Sequence, residues 1–295
     1  MKNIIVILGP TGVGKTKASV ELAKKIDGEV INADSVQIYK KLNIGSSKTT
    51  KKEMDGIRHY LFDIKEPNEF YTIYDYQQDV RSLISKIEKR GKKVIIVGGT
   101  GLYIKAALYD YRLSKENKKV DLSSYTNEEI YNMIKKINVE SFVDINNRVR
   151  LERCYNRLIN NNNSYIGKDN LLYDVDLIGL TTERDNLYNI INKRVDKMFD
   201  DGLVDEVNNL KPYYKKSHVL NSAIGYKEFI PYFNNEIDLD DVKENIKKNS
   251  RHFAKRQYTF FNNQFDGIKW FNINYLDFTK TIDKVYNYIN RSGDK

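Results

Sequence analysis

The sequence predicts an α/β fold, a parallel sheet flanked by helices, with a helical insertion domain. Three observations point there. An aliphatic run at the start leads through a glycine-rich loop into residues with apolar positions at helical spacing. β-Branched runs and helical stretches then alternate, and between about residues 111 and 173 that alternation stops. At 295 residues the chain is long enough for one full-sized core with an elaboration. We divide it into a core, 1–110 and 173–295, and an insertion, 111–172.

Taken in order, "IIVIL" is a strand that ends at glycine, and "KTKASVELAKKI" is the helix after it. "GEVINAD" is a second β-branched run that stops at an acid, and "HYLFDI" is a candidate third strand. "YDYQQDVRSLISKIEKRG" is a helix with a glycine stop. The continuous apolar run "KKVIIVGG" suits a strand buried on both faces, and "GTGLYIKAALYD" starts a helix from its glycines. In the insertion, "SYTNEEIYNMIKKI" and "NNRVRLERCYNRLI" read as polar helices before an asparagine-rich loop, "NNNNSY". The strand pattern returns at "DVDLIGL", followed by the helix "LYNIINKRVDKMFDDG", a basic run "SRHFAKRQYTFF" and a last strand, "IKWFNI".

Composition narrows the function. The single cysteine, Cys154, excludes an internal disulfide and a multi-cysteine zinc site. No segment reads as a secretion signal, and none approaches the roughly 20 apolar residues that span a bilayer. The expected setting is soluble and cytoplasmic. A net charge of +9 points weakly to an anionic partner such as nucleic acid. His59, His218 and His252 lack a spaced partner that would make a metal site.

The chemistry starts at "GPTGVGKT", residues 9–16, which satisfies G-x-x-x-x-G-K-[ST] between a strand and a helix. This makes the core a P-loop-type sheet. Backbone N–H groups of Gly9, Thr11, Gly12, Val13 and Gly14 can cradle phosphate oxygens; Lys15 supplies a point charge and Thr16 can ligate Mg2+. A hydrolase of this kind would carry an acid after a later apolar strand, yet "VIIVGGTGLY" has glycines and a threonine there. Asp34 instead closes the second strand, at the carboxyl edge of the sheet. A carboxylate there could reach magnesium through water, cap a following helix, or act as a general base.

With these residues the chain resembles the tRNA dimethylallyltransferases, also called tRNA isopentenyltransferases. The resemblance rests on "GPTGVGKT", "INADSVQIY", "VGGTGLYIKA", "RVDKMFDDGLVDEV", "AIGYKE" and "AKRQYTFF", in that order, and runs from about residue 4 to 261. It implies transfer of a dimethylallyl group from dimethylallyl diphosphate to N6 of the adenine just 3′ of the anticodon in tRNA, with the diphosphate as leaving group. Asp34 then becomes the base and Gln37 a contact to the target adenine. Thr100 and Arg194, with Lys15, Thr16 and Mg2+, would stabilise the departing diphosphate.

The adenine must be flipped out of its loop to be reached. The resemblance places Asp34, Ser35, Val36, Gln37, Thr100, Arg148, Arg150, Arg153, Gly225, Tyr226, Lys255 and Arg256 among the groups that meet tRNA. Arg150, Arg153 and Arg157 also share one helical face. A monomer without a protein partner is implied. The rival readings are an adenylate isopentenyltransferase, a small-molecule P-loop kinase, and a non-enzymatic RNA-binding nucleotide switch. The last two need a nucleoside triphosphate.

Overall fold

The structure is a computed structural model of the whole chain that describes residues 2–113, 120–160 and 170–291. The elements follow in the order β1 (Ile4–Leu8), α1 (Lys15–Ile26), β2 (Gly28–Asn32), α2 (Lys51–Met54), β3 (His59–Tyr60), α3 (Ile73–Glu88), β4 (Lys93–Val97) and α4 (Gly101–Leu108). After these come α5 (Asn127–Ile137), α6 (Arg148–Ile159), β5 (Val175–Thr181), α7 (Arg184–Asp200), α8 (Leu203–Tyr214), α9 (His218–Ser222) and α10 (Phe229–Phe233). The chain closes with α11 (Leu239–Gln264), β6 (Lys269–Asn272) and α12 (Phe278–Arg291).

The six strands form one parallel sheet in the order β3-β2-β4-β1-β5-β6. Its strands β1 and β4 are apolar nearly throughout, and β2 is buried along its length although it carries Glu29 and Asn32, because both faces are covered by helices. Ile5, Ile7, Val30 and Ile95 pack with Ala18 and Leu22 of α1, Leu187 and Ile191 of α7, and Ile282 and Val285 of α12. The third strand is shorter than "HYLFDI" suggested, since only His59 and Tyr60 pair with β2 before the chain turns.

Register decides where the site lies. Ile7, Val97 and Asn32 are level across β1, β4 and β2, so the loops that follow these strands leave the sheet together at one carboxyl edge.

The chain divides into two compact units, Met1–Leu108 with Leu171–Lys295, and Tyr109–Asn170. The second is built on α5 and α6 around its own small core of Leu122, Ile130, Ile134, Leu151, Cys154 and Leu158. Thr126 and Glu129 form a reciprocal capping box at the start of α5, and Asn147 caps α6. The asparagine-rich loop expected after α6 falls largely on residues 161–169, outside the described residues. Among the described residues no helix is long and apolar enough to cross a membrane.

Candidate active site

A cavity of about 280 Å³ opens at the carboxyl edge of the sheet. One wall is the loop between β1 and α1. The helix begins after Gly14 with no side-chain cap and no acid in its first turn, which leaves its N-terminal N–H groups available to an anion. Thr11, Gly12, Gly14, Lys15 and Thr16 line this wall. Gly9 and Val13 do not: Val13 is fully buried in the core, and Gly9 lies against the Leu180 carbonyl.

Positive charge is concentrated here under restraint. Lys15 Nζ donates to Pro10 O at 2.8 Å, and burial pushes its pKa down to about 7; Asp34 opposes the shift and Arg194 adds to it. Burial also lowers the Arg194 pKa, again opposed by Asp34. Arg194 reaches across from α7 to donate from Nη2 to Thr11 Oγ1 at 2.7 Å, while its buried Nε–H has no partner among the described residues. Two cations beside uncapped helix N–H groups, one with an unspent buried donor, form an anion cradle.

The opposite wall is the turn after β2. Buried Asn32 fixes it: its Oδ1 accepts from Asp34 N at 3.0 Å, and its Nδ2 donates to Asp34 O at 3.1 Å and Leu61 O at 3.0 Å. Asp34 Oδ1 accepts from Val36 N at 2.9 Å and Gln37 N at 3.4 Å, leaving Oδ2 with no partner among the described residues. No helix follows, so the cap expected as one role of Asp34 is an Asx-type turn instead. Asp34 and Gln37 line the cavity, whereas Ser35 and Val36 do not.

Thr100 also stands behind this turn. Its Oγ1 accepts from Ser35 N at 3.1 Å and donates to Ser35 Oγ at 3.3 Å, and the residue is not among those lining the cavity. The Thr100 hydroxyl thereby supports the turn that carries Asp34.

The missing acid after β4 has a steric reason. A Cβ at Gly98 would lie 2.1 Å from Ala33 O, and one at Gly99 would lie 2.2 Å from Gln257 Nε2. Gln257, from α11, is 4% exposed and ties the β1–α1 loop to the loop after β4: its Oε1 accepts from Thr11 N at 2.8 Å and its Nε2 donates to Gly99 O at 3.0 Å. Asn32 is not among the expected site residues, and Gln257 is expected only as part of a segment that tracks phosphates and braces the sheet. Gln257 lay within the matched "AKRQYTFF", but nothing local links position 257 to position 11. His59 also faces the cavity; its Nδ1 binds Ile57 O at 2.9 Å, its Nε2 is buried without a partner among the described residues, and burial lowers its pKa.

With this geometry in hand, comparison with known protein families matches residues 37–264 to the family described as IPP transferase. The chain belongs to this family. A tRNA dimethylallyltransferase of Anoxybacillus flavithermus is 42% identical over 98% of this chain and 96% of that one. A second, from Staphylococcus haemolyticus, is 39% identical over 99% and 93%. Among solved structures, the tRNA isopentenylpyrophosphate transferase of Bacillus halodurans superposes with a TM-score of 0.76 at 36% identity, covering 98% and 96% of the two chains. A eukaryotic dimethylallyltransferase acting on tRNA gives 0.77 at 28% identity over 92% of this chain and 74% of that one.

Several residues that the IPP transferase resemblance placed against RNA are elsewhere. Gly225 and Tyr226 are buried, and the Tyr226 hydroxyl is held by Glu206, so neither offers a surface to a nucleic acid. Arg148 spends its guanidinium inside its own unit, on Glu152 Oε1 at 2.5 Å, Tyr125 O at 2.5 Å and Leu122 O, which makes it a brace for α6. Arg150 and Arg153 are exposed on that helix. Lys255 and Arg256 are exposed on α11, beside a second cavity of about 350 Å³ lined with Thr259 and Phe260.

Proposed function

We propose that this chain transfers a dimethylallyl group from dimethylallyl diphosphate to N6 of the adenine adjacent 3′ to the anticodon in tRNA. The observation that carries the reading is the pairing of walls in one cavity: an anion cradle of loop N–H groups, Lys15 and Arg194 faces a carboxylate, Asp34, and an amide, Gln37. A leaving diphosphate requires the first and an amine nucleophile requires the second.

In this reading the diphosphate lies on the N-terminus of α1, and its charge restores full protonation to Lys15. Arg194 donates its unspent Nε–H to a phosphate oxygen. Among the described residues no cluster of three or more His, Cys, Asp or Glu could hold a metal by itself. The Thr16 hydroxyl beside the cradle nevertheless suits Mg2+, which takes few protein ligands and completes its shell with phosphate oxygens and water. The ion would neutralise charge on the diphosphate.

Asp34 accepts the proton from N6 as nitrogen bonds to the allylic carbon and the carbon–oxygen bond to diphosphate breaks. Its orientation comes from Asn32 and the turn N–H groups, and Thr100 secures the turn. Arg150 and Arg153 on α6, with Lys255 and Arg256 on α11, hold tRNA phosphates. The chain works in the cytoplasm as a monomer.

The deciding experiment combines purified protein, Mg2+, dimethylallyl diphosphate and unmodified tRNA without any nucleoside triphosphate, followed by mass spectrometry of the digested RNA. One isopentenyl mass on the adenosine beside the anticodon is the expected result. Prenylation of free AMP with tRNA untouched would replace this reading with an adenylate isopentenyltransferase, and an absolute need for ATP would replace it with a kinase.

A further inference from the structure

Gln37 is supported by a bracket that starts far away in sequence. Glu206 lies in the first turn of α8. Its Oε2 accepts from Asn43 N at 2.9 Å and Ile44 N at 2.8 Å; its Oε1 accepts from Gly45 N at 3.1 Å and from the Tyr226 hydroxyl at 2.8 Å. Tyr226 is 0% exposed and its ring lies on Gly45, where a Cβ would come within 2.6 Å of ring carbon Cζ. The Ser46 backbone also hydrogen-bonds the phenol.

One carboxylate and one phenol therefore fix four consecutive backbone units. The next link reaches the cavity. Gln37 Nε2 donates to Ser46 O at 3.1 Å and Ser47 O at 3.2 Å. A primary amide has two N–H donors, and both are spent on this loop, so what Gln37 can offer the cavity is its carbonyl oxygen.

Building on the function proposed above, we propose that Glu206 and Tyr226 are positioning residues for base selection. By clamping residues 43–46 they hold the Ser46 and Ser47 carbonyls where they consume the Gln37 amide hydrogens, which leaves an acceptor facing the base. A purine with an exocyclic amine at C6 donates to that acceptor. A purine with a carbonyl at C6 meets it oxygen to oxygen and is rejected. A slack loop would let the amide rotate by half a turn and satisfy either base.

The test uses the full-length protein with Mg2+ and inorganic pyrophosphate, and measures binding of anticodon stem-loop RNAs carrying adenine or inosine at the target position. Wild type should prefer adenine by roughly tenfold, the penalty of an unmatched buried acceptor. Glu206→Gln puts an amide NH2 against backbone donors and should bring that ratio close to one, with pyrophosphate affinity unchanged. Tyr226→Phe removes one bond of the bracket and should lower the ratio by roughly threefold; it also carries the test if the first variant does not fold. Because the bracket acts through Gln37, adding Gln37→Ala to Glu206→Gln should move the ratio no further.

An unchanged ratio in both variants, additive effects with Gln37→Ala, or a loss that merely tracks falling thermal stability and pyrophosphate binding would each overturn the proposal. Wild-type transfer to the adenine stem-loop is measured first. Its failure would count against the proposed reaction, whereas success with an unchanged ratio counts only against the bracket.

Discussion

The two walls of the cavity are held by opposite means. The wall we assign to the diphosphate is nearly continuous in sequence: residues 11–16 supply the loop, the helix N-terminus, Lys15 and Thr16, while Arg194 and Gln257 come from elsewhere. The wall we assign to the base is a relay. Asn32 sets Asp34, Thr100 braces Ser35, and Glu206 and Tyr226 fix the loop that fixes Gln37. A phosphate cradle can be local because it uses backbone N–H groups that any helix start presents. Presenting one oxygen of one amide needs side chains locked from several directions.

This contrast predicts separable defects. The largest belongs to Asp34: Asp34→Asn should lower the rate of transfer in single-turnover measurements by roughly 10²–10⁴, the usual contribution of a positioned base, and leave pyrophosphate binding intact. If binding fell equally, the two walls would not be independent.

Lys15 should give the phosphate wall a pH signature. Its pKa in the free protein is about 7, below its ordinary value, and a bound anion raises it, so binding takes up a proton above that pH. Affinity for pyrophosphate should be fully developed below pH 7 and weaken above it by up to roughly tenfold per pH unit until the raised pKa of the complex is reached. Lys15→Arg, which stays charged, should retain only the dependence of the ligand itself, and calorimetry across pH 6.5–9 on both proteins separates the two. Parallel curves would remove Lys15 as the source.

Gln257 joins the β1–α1 loop to the glycines that precede Thr100, the brace of the Asp34 turn, and offers a direct way to break the comparison. Gln257→Leu strands the Thr11 N–H and the buried Gly99 carbonyl, at a cost of about 1–3 kcal/mol in denaturant unfolding. It should weaken both pyrophosphate and RNA binding, unlike any change confined to one wall. A defect in only one ligand would mean that the link is a prop for that wall alone.

The smallest effects should come from the helical unit. Neutralising Arg150 and Arg153, exposed on α6, should flatten the salt dependence of tRNA binding by roughly 0.7–0.9 in slope for each RNA phosphate that is no longer neutralised. Arg148→Gln should instead lower the thermal stability of that unit, since Arg148 ties α6 to the Leu122 and Tyr125 carbonyls. An unchanged salt slope for the first pair would mean that their face meets solvent only.

The same contrast explains what could be read in advance. The glycine loop, the alternation of strands and helices and the change of texture near residue 111 are local patterns with local causes: backbone geometry, apolar periodicity and turn chemistry. By itself the sequence determined the parallel sheet, the glycine-rich loop between β1 and α1, and Asp34 at the end of β2. Tertiary structure alone decided that Thr100 faces Ser35, that Gln257 bridges Thr11 and Gly99, that Arg148 turns inward, and that Tyr226 is a buried strut. It also placed Glu206 under a loop some 160 positions earlier. Each of these depends on which polar atom finds a partner once the sheet has brought distant segments together, and a side chain's type does not reveal whether its hydrogen bonds will be spent on the protein or kept for a ligand.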